Sequence, residues 1–268
     1  MNDYVLPSDA RQMMTALRFH LRGYVRSNRF YTFLGIFAGF GVATALWLSD
    51  PALAPAEYDS PAGLLLAAFA WTAGYFAFAL AVVFGSDIVS PDLSSPVGLY
   101  TLSQPIRRST LLLGRFLASY LMAMCCALSL VGVIILTGYV RFGTLPWGAL
   151  LSMTGLTALL VVAALSFAVM LSSLIRRGSV SILLALILLF VGLPIVSFAL
   201  SAGHASSWWN ITTAANVVIE PATGLLSQSY TPAGGIPSLS IGVITLAAYA
   251  LVCGVAGVVL FSRRDYAP

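Results

Sequence analysis

Few side chains in this sequence are equipped to make or break bonds. Its two histidines, His20 and His204, lie far apart, and its three cysteines, Cys125, Cys126 and Cys253, all sit inside apolar stretches. Adjacent residues point to different sides of a helix, so Cys125 and Cys126 cannot hold a metal alone. Their expected use is as small hydrophobes, with no disulfide framework. There is no Gly-x-x-x-x-Gly-Lys-Ser/Thr phosphate loop, no His-Glu-x-x-His pair and no Gly-x-Ser-x-Gly elbow. The middles of the apolar runs carry no Asp, Glu, Lys or Arg, where an ion-coupled carrier needs one. The expectation is a protein that is not an enzyme, carries no cofactor or metal, and draws any energy from another chain. Glu220 either faces a substrate portal or is a solvated loop carboxylate, and the solvated reading is preferred.

What remains is charge placed for recognition. Residues 85–110 hold Asp87, Asp92, Arg107 and Arg108 with three prolines, between two long apolar runs. Ile88, Val89, Leu93, Val97 and Leu99 are interleaved with these charges. A segment this polar belongs in water, and its apolar residues are more than a merely solvated loop needs. It is expected to meet a partner, with a charged rim and apolar anchors. A second pattern lies near the start. Arg11, Arg18, Arg22, Arg26 and Arg29 recur at near-helical steps, while Met13, Met14, Leu17, Leu21, Tyr24 and Val25 fall mostly on the other side. The spacing predicts an amphipathic helix over Ser8 to Arg29, capped by Ser8 or Asp9. Such a helix is expected at a membrane interface, its arginines toward anionic headgroups.

The elements that position these residues follow from composition. Only 8% of residues are charged and 59% are hydrophobic, too few charges to cover a water-soluble domain of this size. The chain reads as an all-α integral membrane protein. Residues 1–29 form a tail with the interfacial helix, and residues 30–268 a single six-helix domain. The spans are expected near 30–49, 62–84, 110–139, 147–175, 180–200 and 240–261, each long enough to cross the hydrocarbon. Gly35 and Gly39 are spaced for close contact between helices. Arg115, one turn inside the third span, is expected to snorkel back to the interface. Residues 201–239 are too apolar for an open loop, yet Pro221 and Gly224 interrupt them. They read as two short helices in a partly re-entrant outer segment, with Trp208 and Trp209 at the headgroup level. With both termini cytoplasmic, twelve arginines fall inside and Arg141 alone outside, a decisive bias under the positive-inside rule. No cleavable signal peptide is expected. Phe33, Phe37, Trp71 and Tyr75, in the first two spans, either line a hydrophobic path or serve packing.

The order of these parts resembles the permease subunit of type-2 ATP-binding-cassette (ABC) transporters. The closest match is Leu99-Tyr-Thr-Leu-Ser-Gln-Pro-Ile-Arg-Arg-Ser-Thr-Leu-Leu-Leu-Gly-Arg115, similar to a family pattern of a proline turn, a basic residue and a Gly-Lys/Arg pair. The ending Phe261-Ser-Arg-Arg-Asp265 is similar to that family's usual close. Asp92-Leu-Ser-Ser departs from the family's acid followed by Gly-Thr. The resemblance implies a dimeric permease, built from two copies or two related chains, in a prokaryotic cytoplasmic membrane. A separate ATPase subunit would bind ATP and Mg. Asp87, Ile88, Asp92, Leu93, Leu99, Arg107 and Arg108 would form its coupling interface. The expected cargo is amphipathic, lipidic or drug-like and moves outward; no nucleic acid is expected. The alternative is a non-transporting membrane scaffold that anchors or regulates an enzyme.

Overall fold

The computed structural model describes residues 8–49, 60–86, 88, 108–175, 178–203, 205–226 and 235–263. Every apolar run in the sequence becomes a helix. In chain order these are α1 (Asp9–Val25), α2 (Asn28–Ser49), α3 (Pro61–Gly85), α4 (Arg108–Phe142), α5 (Trp147–Leu174), α6 (Val180–Ala202), two short helices α7 (Ile211–Ala215) and α8 (Glu220–Thr223), and α9 (Leu239–Arg263). Six of them, α2 to α6 and α9, are long and apolar enough to cross a membrane. The shortest such stretch, Asn28–Leu48, has 21 residues and the longest, α4, has 35; about 20 suffice. At 1.5 Å per residue α4 is roughly 52 Å long, some 20 Å more than a hydrocarbon core of about 30 Å. A helix of that length can extend beyond an apolar layer and carry charge near its ends, where Arg108 and Arg141 lie.

Local chemistry sets the ends. Ser60 caps α3, its Oγ accepting from Gly63 N at 2.9 Å, and Pro61 occupies the first turn, where its missing N–H costs nothing. At Gly143 the chain takes φ +71°, a left-handed turn that glycine adopts without strain and that ends α4. α6 must accommodate Pro194, which lacks an N–H and crowds the carbonyl four residues back. A π turn over Leu188–Gly192 directly precedes it and loosens the ladder there. A second π turn interrupts α3 at Thr72–Phe76.

α3 and α5 form the centre of the bundle and α6 is the least enclosed of the six long helices. The core includes Phe37, Leu65, Phe69, Phe78, Leu130, Leu150 and Met153, all fully buried. In an apolar solvent such packing gains van der Waals contact rather than hydrophobic transfer, so close approach matters. A Cβ added at Gly35 or Gly39 would meet no atom of another helix within 4 Å among the described residues, so the close contact their spacing suggested is not made among them. The close approach of α2 to α4 falls instead at Gly41, where a Cβ would stand 3.0 Å from Val133. Residues 205–226 fold back into the bundle. α7, α8 and the 3-10 turn between them (Asn216–Ile219) pack against α3, α5 and α9, with Ile211, Val217 and Val218 fully buried.

Candidate coupling junction

The amphipathic pattern near the start forms α1, but its apolar side meets protein. α1 lies along the first part of α4, with Leu21 and Tyr24 packed against the core. Ser8 stands at the N-cap position without a side-chain hydrogen bond. Gly114 of α4 makes the approach possible, because a Cβ there would sit 2.8 Å from both Ala16 Cβ and the Met13 carbonyl oxygen. Arg11, Arg18, Arg22, Arg26 and Arg29 are all exposed. On a helical wheel the first four lie opposite Met13, Leu17 and Tyr24. Met14, Phe19 and Val25 flank that row and are exposed too, Phe19 at 74%.

Arg115 does not snorkel. It is 7% exposed, covered by α1, and its donors are used inside the protein. Nε donates to His20 Nε2 at 2.9 Å, and Nη1 donates to the Ile88 carbonyl at 2.9 Å. One guanidinium thus joins α1, the start of the polar segment and α4. The fork geometry suits this role, since arginine stays charged and offers several fixed donors. Burial, and then the Arg115 charge, lowers the His20 pKa from its ordinary 6.5 to about 4. A neutral imidazole is what the geometry needs, with the proton on Nδ1 and the Nε2 lone pair accepting.

Further bonds tie the same region together. The Tyr24 hydroxyl donates to the Phe84 carbonyl at 3.4 Å and shares a 2.9 Å hydrogen bond with Ser119 Oγ. Ser172 Oγ of α5 donates to the Ser86 carbonyl at 2.8 Å, and the Ser86 hydroxyl bonds the Val82 carbonyl. Ile88 is 2% exposed and packs with Leu112, Val169 and Phe261. Its side chain is held within the chain's own bundle. Arg108 is half-buried in the first turn of α4. Asp87, Asp92, Leu93, Leu99, Arg107 and His204 lie outside the described residues.

Three of the aromatic residues singled out in the first two spans, Phe37, Trp71 and Tyr75, belong to one connected run. Phe37 meets Phe76 at a tilt with ring centres 4.7 Å apart, Phe40 meets Phe76 at 4.7 Å and Trp71 at 5.6 Å, and Trp71 meets Tyr75 at 5.5 Å. Tyr75 then stacks on Phe190 of α6 at 6.3 Å. Phe37 is enclosed and belongs to packing within the chain, whereas Trp71 and Tyr75 are about half exposed on the bundle surface. Phe33 is half-buried, 6.3 Å from Phe84. Phe40, Thr44, Trp47, Leu66 and Trp71 line a groove of about 410 Å³ between α2 and α3. Among the described residues no three His, Cys, Asp or Glu side chains converge as metal ligands would.

His20, Tyr24, Ser119 and Phe190 were not singled out by the sequence reading as partners in a site. His20 offered one signal, since it falls on the apolar side of α1 between Leu17 and Tyr24, where a polar residue needs a partner.

Together these features define a protein that is, among the described residues, all-helical, with six helices of membrane-crossing length and a charged junction at one end of the bundle. A family described as a protein of unknown function (DUF2705) matches residues 63–267, about three quarters of the chain, and the chain belongs to that family. No curated protein matches it.

Proposed function

We propose that this chain is the membrane-spanning permease subunit of an ABC transporter, moving an amphipathic, lipidic or drug-like molecule outward. The observation that carries the reading is the Arg115 junction. It makes α1, the root of the polar segment and the projecting end of α4 one stiff unit. A push on that unit from the aqueous side tilts helices as rigid bodies rather than bending a loop. No ion-coupling carboxylate stands within the spans, which supports an outside source of energy. In this reading ATP and Mg act on a separate ATPase subunit, and two permease chains pair. The exposed aromatics Trp71 and Tyr75 then border the path.

The same reading sets the chain in a prokaryotic cytoplasmic membrane with both termini inside. The exposed arginines of α1 then face headgroups or the ATPase, and residues 205–226 dip into the outer half of the bilayer. Support for the dip is the burial of Ile211 to Ile219 against α3, α5 and α9.

The test is mass spectrometry of the complex purified in mild detergent from its native membrane. A phosphate-loop ATPase at equal copy number is expected. In that complex, Arg107→Glu with Arg108→Glu should leave assembly partly intact and abolish stimulation of ATP hydrolysis by the permease. Recovery of the chain alone, or with an unrelated enzyme, would replace the transporter with a membrane scaffold.

A further inference from the structure

Half-way along α3 the bundle surface carries two polar groups that lipid cannot satisfy. Trp71 and Tyr75 are 49% and 50% exposed, and neither the indole N–H nor the phenol O–H has a hydrogen-bond partner among the described residues. α3 runs for 25 residues from Pro61 to Gly85. At 1.5 Å per residue Tyr75 stands roughly 21 Å along it from Pro61 and roughly 15 Å from Gly85. Helical side chains lean toward the N-terminus, here away from the nearer end. With α3 across a hydrocarbon core of about 30 Å, the Tyr75 hydroxyl therefore lies close to mid-depth. Acyl chains have no acceptor to give there, and an unpaired hydroxyl in hydrocarbon is costly.

The surroundings are aromatic, uncharged and open. Tyr75 stacks on Phe190 of α6 with the rings 28° apart and their centres at 6.3 Å, and Trp71 meets Tyr75 at 5.5 Å. The residues beside them on the same face of α3, Ala67, Ala70 and Gly74, are small and half-buried. A Cβ at Gly74 would meet no atom of another helix within 4 Å among the described residues, so the two large rings have room next to them. Trp71 is also a wall of the groove of about 410 Å³ between α2 and α3, a volume within the range of sites for small organic molecules. A second copy of this face would not satisfy it. Two indoles, which only donate, and two phenols would set four donors against two acceptor oxygens. The missing partner brings acceptors of its own and a flat surface for the rings.

We propose that Trp71 and Tyr75 bind a membrane-soluble, planar aromatic carbonyl compound of the quinone type. Its ring lies against the two aromatic side chains, a carbonyl oxygen accepts from the Tyr75 hydroxyl, and its apolar remainder enters the groove toward Phe40 and Ala43. The site requires only that α3 cross a membrane. Under the permease reading, on which this one consequence rests, such a compound is the cargo.

Anthraquinone and anthracene share one ring outline and differ by two carbonyl oxygens, so together they separate hydrogen bonding from stacking. Equilibrium dialysis of each radiolabelled compound into nanodiscs, with empty nanodiscs subtracted, measures binding to the full chain without any ATPase. One anthraquinone per chain should bind saturably and roughly tenfold tighter than anthracene, the scale of one hydrogen bond to an otherwise unmet donor. Tyr75→Phe should remove that advantage and leave anthracene binding as it was. Tyr139→Phe, at a tyrosine 47% exposed near the end of α4, should change neither. Equal affinity for the two compounds, full selectivity in Tyr75→Phe, or an equal loss in Tyr139→Phe would overturn the site. Absence of saturable binding would overturn it too, and a chain then found dimeric in the nanodisc would give the face to a second copy. A chain that binds anthraquinone selectively but co-purifies with no ATPase keeps the site and loses the transporter.

Discussion

Arg115 carries a full charge into an enclosed corner, and its surroundings are built to keep it there. Removing it strands the Ile88 carbonyl and His20 Nε2, and an unmet buried acceptor costs about 1–3 kcal/mol. Arg115→Met should therefore lower the melting temperature of the solubilised protein and speed hydrogen exchange in α1 more than in α5. An unchanged α1 would mean the guanidinium is a bystander. His20 makes a separate, signed prediction. Its pKa falls from 6.5 unfolded to about 4 folded, so between those values the unfolded chain binds the extra proton. Stability should be full above about pH 6.5 and decline as pH drops toward 4. Thermal melts of wild type and His20→Gln at pH 7.5 and 5 check this, and the glutamine variant should lose less on acidification. Neither residue's role was readable from the sequence. The position of Arg115 at a span end argued for snorkelling, and only the helix laid across it, contributed from far away in the chain, reverses that expectation. Its neighbour Gly114 was visible as half of a Gly-Arg pair, but not the Ala16 contact that the glycine permits.

Helices were legible where periodicity and composition agree. The six apolar runs were read from length and composition, and the short helices of the outer segment from Pro221 and Gly224, which interrupt an apolar stretch through local backbone geometry. The two π turns were not, because Thr72–Phe76 and Leu188–Gly192 look like ordinary apolar helix in sequence. Their effect is to set which aromatic faces which neighbour, and so Phe190 was missed. The docking of α1 depends on shape, so Gly114→Ala should cost about 1–3 kcal/mol by overpacking, because the backbone at Met13 cannot yield as a flexible side chain would. Increased protease cleavage within α1, with α4 to α9 still protected, is the expected signature. In the outer segment, Asn210 is fully buried, accepts from Thr212 N at 3.1 Å and donates to the Leu193 carbonyl at 2.8 Å. It pins α7 to α6. Asn210→Ala should raise hydrogen exchange across residues 211–223 and leave α4 and α5 as they were; uniform protection would show that apolar burial alone holds the segment.

At the scale of the molecule, the proposed orientation, with both termini cytoplasmic, rests on counting arginines and needs no coordinates. It is testable with an impermeant maleimide in a Cys125→Ser background. A cysteine at Thr144 should label on intact cells, and cysteines at Asn28 or Ser262 only after permeabilisation; the reverse pattern would invert the topology. How two copies or an ATPase would meet the bundle was not legible, because surfaces that face lipid and surfaces that face a partner are built from the same apolar residues. The contact between His20 and Arg115 spans 95 positions of chain. At a synthesis rate of about 5–20 residues per second, α1 waits roughly 5–20 s for the helix it rests on. Two hydrophobic spans enter the membrane in that interval. α1 is thus made well before its support and seated late, and a chain stalled before Arg115 would leave this basic, apolar-sided helix open to whatever surface lies nearest.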